Sequence, residues 1–118
     1  MKPTDWPKLL FVCSVNKLRS RTAEEMFRGA QGFFVRSRGT EPDARVRVTA
    51  GDLGWADIVF LMEPRHRDRI RRKLRQELEG KRVVCLHIPD EYDFMDPALV
   101  ALLKERLRPH LQDPPWEL

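Results

Sequence analysis

Four short runs of consecutive apolar residues constrain the fold of this chain more than any other feature of its sequence. The runs extend over Lys8 to Cys13, Phe33 to Ser37, Asp57 to Met62, and Arg82 to His87. Apolar residues that do not alternate with polar ones are typical of strands covered on both faces, as in parallel sheets. We therefore interpret the four runs as buried β-strands.

Helical patterns separate these strands. One extends over Ser20 to Ala30, a second over Pro64 to Glu79 with Glu63 as its cap, and Arg45 to Trp55 fits one short helix. The last helix opens at Asp96-Pro97 and is expected to bury Leu99, Val100, Leu103 and Leu107. Strands that alternate with helices predict a single α/β domain over residues 1–118, with a four-stranded parallel sheet flanked by helices on both faces.

The composition favours a cytoplasmic protein. No apolar run is long enough to span a membrane, and the first ten residues lack the features of a secretory signal. The two cysteines, Cys13 and Cys85, do not form a disulfide framework. We expect a reducing compartment and no membrane partner.

The loop between the first strand and the first helix carries the candidate chemistry. It consists of Cys13, Ser14, Val15, Asn16, Lys17, Leu18, Arg19 and Ser20. Ligands of parallel sheets bind beyond the carboxyl ends of the strands, where backbone N–H groups and a helix N-terminus attract anions. The same donors favour the thiolate of Cys13, which is the reactive form of a cysteine. The loop therefore predicts a phosphate site with a nucleophile.

Three further side chains of the loop suit that chemistry. Arg19 can contact two phosphate oxygens at once, because its guanidinium is planar and two-pronged. The Ser20 hydroxyl can donate to the thiolate, and the Asn16 side chain can fix the shape of the loop. A cysteine alone is often only a small buried residue. Because Asn16, Arg19 and Ser20 accompany it in the loop, Cys13 is interpreted as catalytic.

This region resembles the low-molecular-weight protein tyrosine phosphatases. The signature of that family is a cysteine, five residues and Arg-Ser, with asparagine fourth in the loop, as in Cys13 to Ser20. Ser37 to Thr40 looks like the family's Ser-Ala-Gly-Thr, and Ala56 to Met62, with His66 beyond, looks like its third strand. The resemblance touches most of the chain and implies a phosphotyrosine phosphatase I-like fold with flavodoxin-like winding.

The resemblance also implies a mechanism without metal or cofactor. Cys13 would form a cysteinyl-phosphate, Arg19 would stabilise the phosphoryl oxygens, and a nearby acid would protonate the leaving group. The implied substrate is a phosphotyrosine protein or a small aryl phosphate.

The acid is one of three aspartates after the fourth strand. Asp90 matches the position of the family's acid and is preferred, whereas Asp96 precedes a proline and has the pattern of a helix N-cap. Asp93 is the third candidate. Tyr92 either forms a wall against the substrate ring or packs as an ordinary loop aromatic.

The chain departs from the family pattern at several positions. Val15 stands where the family has glycine, Lys17 replaces an apolar residue, and Leu18 replaces a second cysteine of some members. The segment from Thr40 to Ala56 is short for the family, which predicts a more open site.

Two other functions compete with catalysis. The loop could serve a phosphate- or phosphoprotein-binding module with little turnover. The formal net charge is +4, and seven of the eleven residues from Arg65 to Arg75 are basic, which also permits nucleic-acid binding. Such charge runs are usually solvated helix faces, and the absence of interleaved aromatics argues against single-strand recognition. The sequence does not indicate an oligomeric state.

Overall fold

The apolar runs form one parallel sheet in the computed structural model, which describes residues 6–117. The strands are β1 (Lys8–Cys13), β2 (Phe34–Gly39), β3 (Ile58–Leu61) and β4 (Arg82–Cys85), in the spatial order β2-β1-β3-β4. The helices are α1 (Arg19–Met26), α2 (Ala50–Trp55), α3 (Pro64–Leu78) and α4 (Pro97–Leu107). Within the described residues, no helix is both long and apolar enough to cross a membrane. The predicted α/β fold with a four-stranded parallel sheet is confirmed.

The two central strands, β1 and β3, are buried on both faces, which explains why their apolar residues do not alternate with polar ones. In β1, Leu9 and Phe11 point into a core that α1 and α4 cover. Leu10 and Val12 point into a second core on the opposite face, which α2 and α3 cover. The helices on both faces were expected from the sequence. Because the residues from Leu9 to Cys13 in this central strand are all buried among apolar neighbours, this part of the strand is apolar.

Two element ends differ from the sequence-based predictions because of backbone conformation. Helix α1 ends at Met26, not at Ala30, because Gly29 adopts a left-handed φ of 73° just beyond it. Strand β4 ends at Cys85, not at His87, and His87 has a left-handed φ of 53°. A residue in that region cannot continue a strand.

Two further predictions need small corrections. Strand β2 extends over Phe34–Gly39, not from Phe33 to Ser37, because Gly39 still pairs with Cys13 at the end of β1. Val100 of α4 was expected to be buried but is only half-buried. It lies at the border of the apolar stripe formed by the other three residues.

Helix α3 begins as predicted, with Glu63 at its N-cap and Pro64 in its first turn. The backbone N–H of Glu63 donates to Nδ1 of His66 at 3.0 Å. The start of this helix is therefore fixed by a side chain of its own first turn. Further along, the helix kinks at Leu74, whose φ and ψ of −125° and 35° are not helical.

The strand order places the loop that follows β1 at a crevice. Strand β1 lies between β2 and β3, and the helices that follow β1 and β3 pack on opposite faces. Loops that diverge in this way leave an opening at the carboxyl edge of the sheet, which is where ligands bind in such folds. Residues Cys13 to Ser20 lie at this position.

Gly39 is a steric requirement of this arrangement. A Cβ added there would lie 2.6 Å from both the Ala44 Cβ and the Ser14 carbonyl oxygen. We expect Gly39→Ala to lower the free energy of unfolding by about 2 kcal/mol or more, because neither backbone segment can retreat without breaking its hydrogen bonds. The measurement is urea denaturation.

Gly54→Ala is the matched control, since a Cβ at this position in α2 meets nothing within 4 Å. It should be neutral or should stabilise the protein by about 0.5 kcal/mol, as alanine favours helix over glycine. Equal destabilisation by the two substitutions would contradict the steric explanation.

Candidate active site

The loop after β1 holds a buried cysteine whose sulfur contacts a backbone N–H and a hydroxyl. Cys13 is 2% exposed, and its Sγ accepts the backbone N–H of Asn16 at 3.2 Å. The Ser20 Oγ lies 3.0 Å from the same sulfur. Two polar groups of the loop thus converge on the buried sulfur of Cys13.

Asn16 determines the shape of the loop. It has a left-handed φ of 57°, and its amide Nδ2 donates to Ser20 Oγ and to Ser37 Oγ, each at 2.9 Å. Ser37 Oγ in turn donates to Glu24 at 2.6 Å. Among residues 6–117, Val15 is not one of the residues with positive φ. The replacement of the family's glycine by Val15 therefore imposes no left-handed strain on the loop.

The segment that follows β2 holds the loop from outside. Three backbone N–H groups donate to carbonyl oxygens of the loop: Thr40 to Cys13 at 3.0 Å, Glu41 to Ser14 at 3.0 Å, and Arg45 to Val15 at 2.9 Å. These three hydrogen bonds were not expected from the sequence. The N–H groups of Val15, Lys17 and Leu18 donate to no other residue of the described chain. They remain available to an anion.

Arg19 is held by groups from the ends of two other strands. It is 2% exposed and donates to the Glu63 carboxylate and, at 2.9 Å, to the carbonyl oxygen of Ile88. Burial raises the pKa of Glu63, but hydrogen bonds from Arg65 and Arg19 outweigh it and hold that pKa below its usual value. From the sequence, Glu63 was expected only to cap α3. Its position directly after β3, at the edge that carries Cys13, could have indicated this contact.

His66 joins α3 to the loop. It is 1% exposed, and its Nε2 lies 3.0 Å from Ser14 Oγ. Because Nδ1 accepts the Glu63 N–H, the proton of the neutral ring is on Nε2, which donates to Ser14. Burial, together with the charges of Arg19 and Arg65, lowers the pKa of His66 to about 4. The contact of His66 with Ser14 was not expected from the sequence.

The three aspartates after β4 occupy different environments. Asp90 Oδ1 lies 3.6 Å from Arg19 Nε, whereas Asp96 is the N-cap of α4 and accepts the Ala98 N–H at 2.9 Å. Asp93 is exposed. The structure therefore brings only one of the three candidates, Asp90, into contact with Arg19.

Two aromatic residues lie in the same segment. Tyr92 is half-buried and packs against the core shared by α1 and α4. Phe94, which the sequence analysis did not single out, is 39% exposed and lies under the Arg21 guanidinium at 4.8 Å. Phe94 is therefore near the start of α1, where the backbone N–H of Met95 donates to Thr22 Oγ1 at 2.9 Å.

The site as a whole can bind and attack a tetrahedral anion. It combines a sulfur nucleophile, free amides, a buried guanidinium and one adjacent carboxylate. Residues 6–117 contain no group of three or more His, Cys, Asp or Glu side chains arranged to hold a metal ion.

The lowered pKa of His66 predicts a pH-dependent stability. Between pH 6.5 and about 4, an unfolded chain protonates this histidine while the folded protein does not. Lowering the pH through that window therefore favours unfolding, by at most about 3 kcal/mol. We expect His66→Gln to show a smaller decrease of the free energy of unfolding over this range, as measured by urea denaturation at stepped pH.

His87→Asn is the control, because His87 is exposed and asparagine tolerates its left-handed φ. This variant should keep the pH profile of the wild type. A profile that is unchanged in His66→Gln would show that His66 does not titrate in this window.

Comparison with solved structures identifies the fold. A low molecular weight protein tyrosine phosphatase from Streptococcus pyogenes superposes with a TM-score of 0.72 at 14% identity, covering 94% of this chain and 97% of that one. The tyrosine phosphatase Wzb from Escherichia coli K30 gives 0.69 at 20% identity, with 88% and 95% covered. The YwlE arginine phosphatase from Geobacillus stearothermophilus gives 0.59 at 19% identity, with 90% and 98% covered.

The sequence matches no protein-family model and no curated protein. The solved structures nevertheless cover most of the chain, and the strand order agrees with the winding that the sequence resemblance implied. The chain therefore has the fold of the low molecular weight protein tyrosine phosphatases.

Proposed function

We propose that this protein is a cysteine-dependent phosphatase in which residues 1–118 form one catalytic domain. The observation that carries the proposal is the contact of Cys13 Sγ with the Asn16 N–H and the Ser20 hydroxyl, in a loop whose free amides and buried Arg19 suit a phosphoryl group. A thiolate must stay reduced to act as a nucleophile. We therefore assign the protein to a reducing compartment such as the cytoplasm.

The reaction proceeds in two steps, the formation and the hydrolysis of a cysteinyl-phosphate. The Cys13 thiolate attacks phosphorus in line, the bond to the leaving oxygen breaks, and an acid donates its proton to that oxygen. Water then attacks the cysteinyl-phosphate, returns a proton to the same acid, and releases inorganic phosphate and the thiolate. Arg19 and the loop amides stabilise the equatorial oxygens in both steps.

Asp90 is the proposed acid. Its distance of 3.6 Å to Arg19 Nε supports a place beside the phosphoryl group. Asp96 is engaged as a helix cap, and Asp93 is exposed without a contact to Arg19 among the described residues. Asp90 is also 53% exposed, so it can exchange protons with water once a leaving group has departed.

The proposed substrates are aryl phosphates, foremost phosphotyrosine in proteins, with Tyr92 beside the ring. This choice follows the tyrosine phosphatases among the similar structures. One similar structure is named an arginine phosphatase, so phosphoarginine is the alternative substrate to compare. Turnover of matched peptides that carry phosphotyrosine, phosphoarginine or phosphoserine decides between them.

Single substitutions test the chemistry and the acid together. Cys13→Ser should abolish hydrolysis of p-nitrophenyl phosphate in the presence of a chelator. Asp90→Asn should lower kcat for phenyl phosphate about 100-fold, since that is the typical contribution of a general acid. The decrease of kcat should be smaller for p-nitrophenyl phosphate, because its leaving group depends less on protonation by a general acid.

Asp96→Asn is the matched control, because asparagine also caps helices well. It should retain wild-type turnover. If Asp96→Asn is the impaired variant, the assignment of Asp90 as the acid is wrong, but the proposed phosphatase activity is unaffected. If folded, reduced wild type binds a phosphotyrosine peptide but hydrolyses nothing, the protein is a binding module.

A further inference from the structure

We propose that the basic groove between α3 and the segment after β2 docks an acidic stretch of a phosphoprotein substrate, a few residues from its phosphorylated side chain. This inference rests on the proposed phosphatase activity. The groove has a volume of about 230 Å³ and is lined by Thr40, Arg47, Val48, Thr49, Arg69, Ile70, Lys73 and Leu74.

The groove starts next to the candidate active site. Thr40, at its near end, donates its backbone N–H to the carbonyl oxygen of Cys13. His66, one turn before Arg69 and Ile70 on α3, contacts Ser14. The groove therefore lies next to the loop that is proposed to bind the phosphate.

The charge of the groove is unbalanced. Three of its lining residues are basic and none is acidic. Arg69 is partly compensated by Glu41 at 3.2 Å. Within residues 6–117, neither Arg47 nor Lys73 has an acidic partner within ion-pair distance. These two exposed cations are available to carboxylates of a partner.

The floor of the groove is apolar, which suits a peptide better than a bare anion. Val48 and Ile70 are at least 90% buried, and Leu74 contributes at the kink of α3. A peptide backbone with alternating side chains can place apolar groups on this floor and carboxylates at the rim. The combination favours an acidic peptide over a small inorganic ion.

Helix geometry sets the distance between the phosphorylated residue and the acidic ones. With a rise of 1.5 Å per residue, positions 69 to 74 lie about 5 to 12 Å along α3 from His66. An extended peptide advances about 3.3 Å per residue. The carboxylates are therefore expected about two to four residues from the phosphorylated side chain, on one side of it.

Matched phosphopeptides test the proposal. One peptide carries aspartate at the second to fourth positions before the phosphotyrosine, another carries it after, and asparagine replaces aspartate in the reference peptides. One acidic peptide should show a kcat/KM about three- to tenfold above its reference at low salt, the size expected for two surface ion pairs. The preference should shrink at 0.5 M NaCl, because salt screens exposed charges.

Two double variants that change the net charge by the same amount show which residues cause the preference for acidic peptides. Arg47→Glu with Lys73→Glu should abolish or invert the preference. Arg71→Glu with Arg72→Glu should keep it, because these residues line a different groove of α3 together with Asp68 and Arg75. Loss of the preference in both variants, or its absence in the wild type, would overturn the proposal.

Two further readouts separate the alternatives. p-Nitrophenyl phosphate is too small to reach the groove, so its turnover by the wild type tests the phosphatase itself. If it is hydrolysed but peptides show no acidic preference, only the docking proposal fails. If a single-stranded RNA oligonucleotide blocks turnover at low salt and the Arg47/Lys73 variant relieves the block while the Arg71/Arg72 variant does not, the groove binds nucleic acid and the proposed peptide site is wrong.

Discussion

The backbone of one buried loop is the constraint on which the surrounding structure depends. The residues between β1 and α1 lie at the edge of two apolar cores, where an unpaired polar group is costly. The backbone N–H groups of the segment after β2 donate hydrogen bonds to the carbonyl oxygens of this loop. Several loop amides are then left for an anion. The close approach that makes this possible requires glycine at position 39, where a Cβ would collide with Ser14.

The buried cation in the same place imposes a second constraint. A guanidinium that is almost fully removed from water needs charge compensation and hydrogen-bond acceptors. Arg19 obtains them from Glu63 after β3 and from Ile88 after β4. The carboxyl ends of three parallel strands thus converge on one side chain. Glu63 also orders the start of α3 through His66, so the ion pair and the loop support each other.

The short segment between β2 and α2 contacts both the candidate active site and the proposed docking groove. Its backbone N–H groups bind the loop after β1, and its outer side forms the groove with α3. Glu24 and Ser37 stabilise the other side of the loop through Asn16. The chemistry at Cys13 and the proposed docking groove are therefore built on the same backbone.

The sequence by itself determined the sheet and the loop. The central strands are readable because burial on both faces removes alternation, and the loop is readable because Cys13, Asn16, Arg19 and Ser20 lie within eight consecutive residues. The cap function of Asp96 was also evident, since capping is local. Only the tertiary structure decided the partners of these groups. Arg19 and Ile88 are 69 residues apart, and Ser14 and His66 are 52 apart. No local period encodes such pairs, because strand order and helix packing, not neighbouring residues, bring them together.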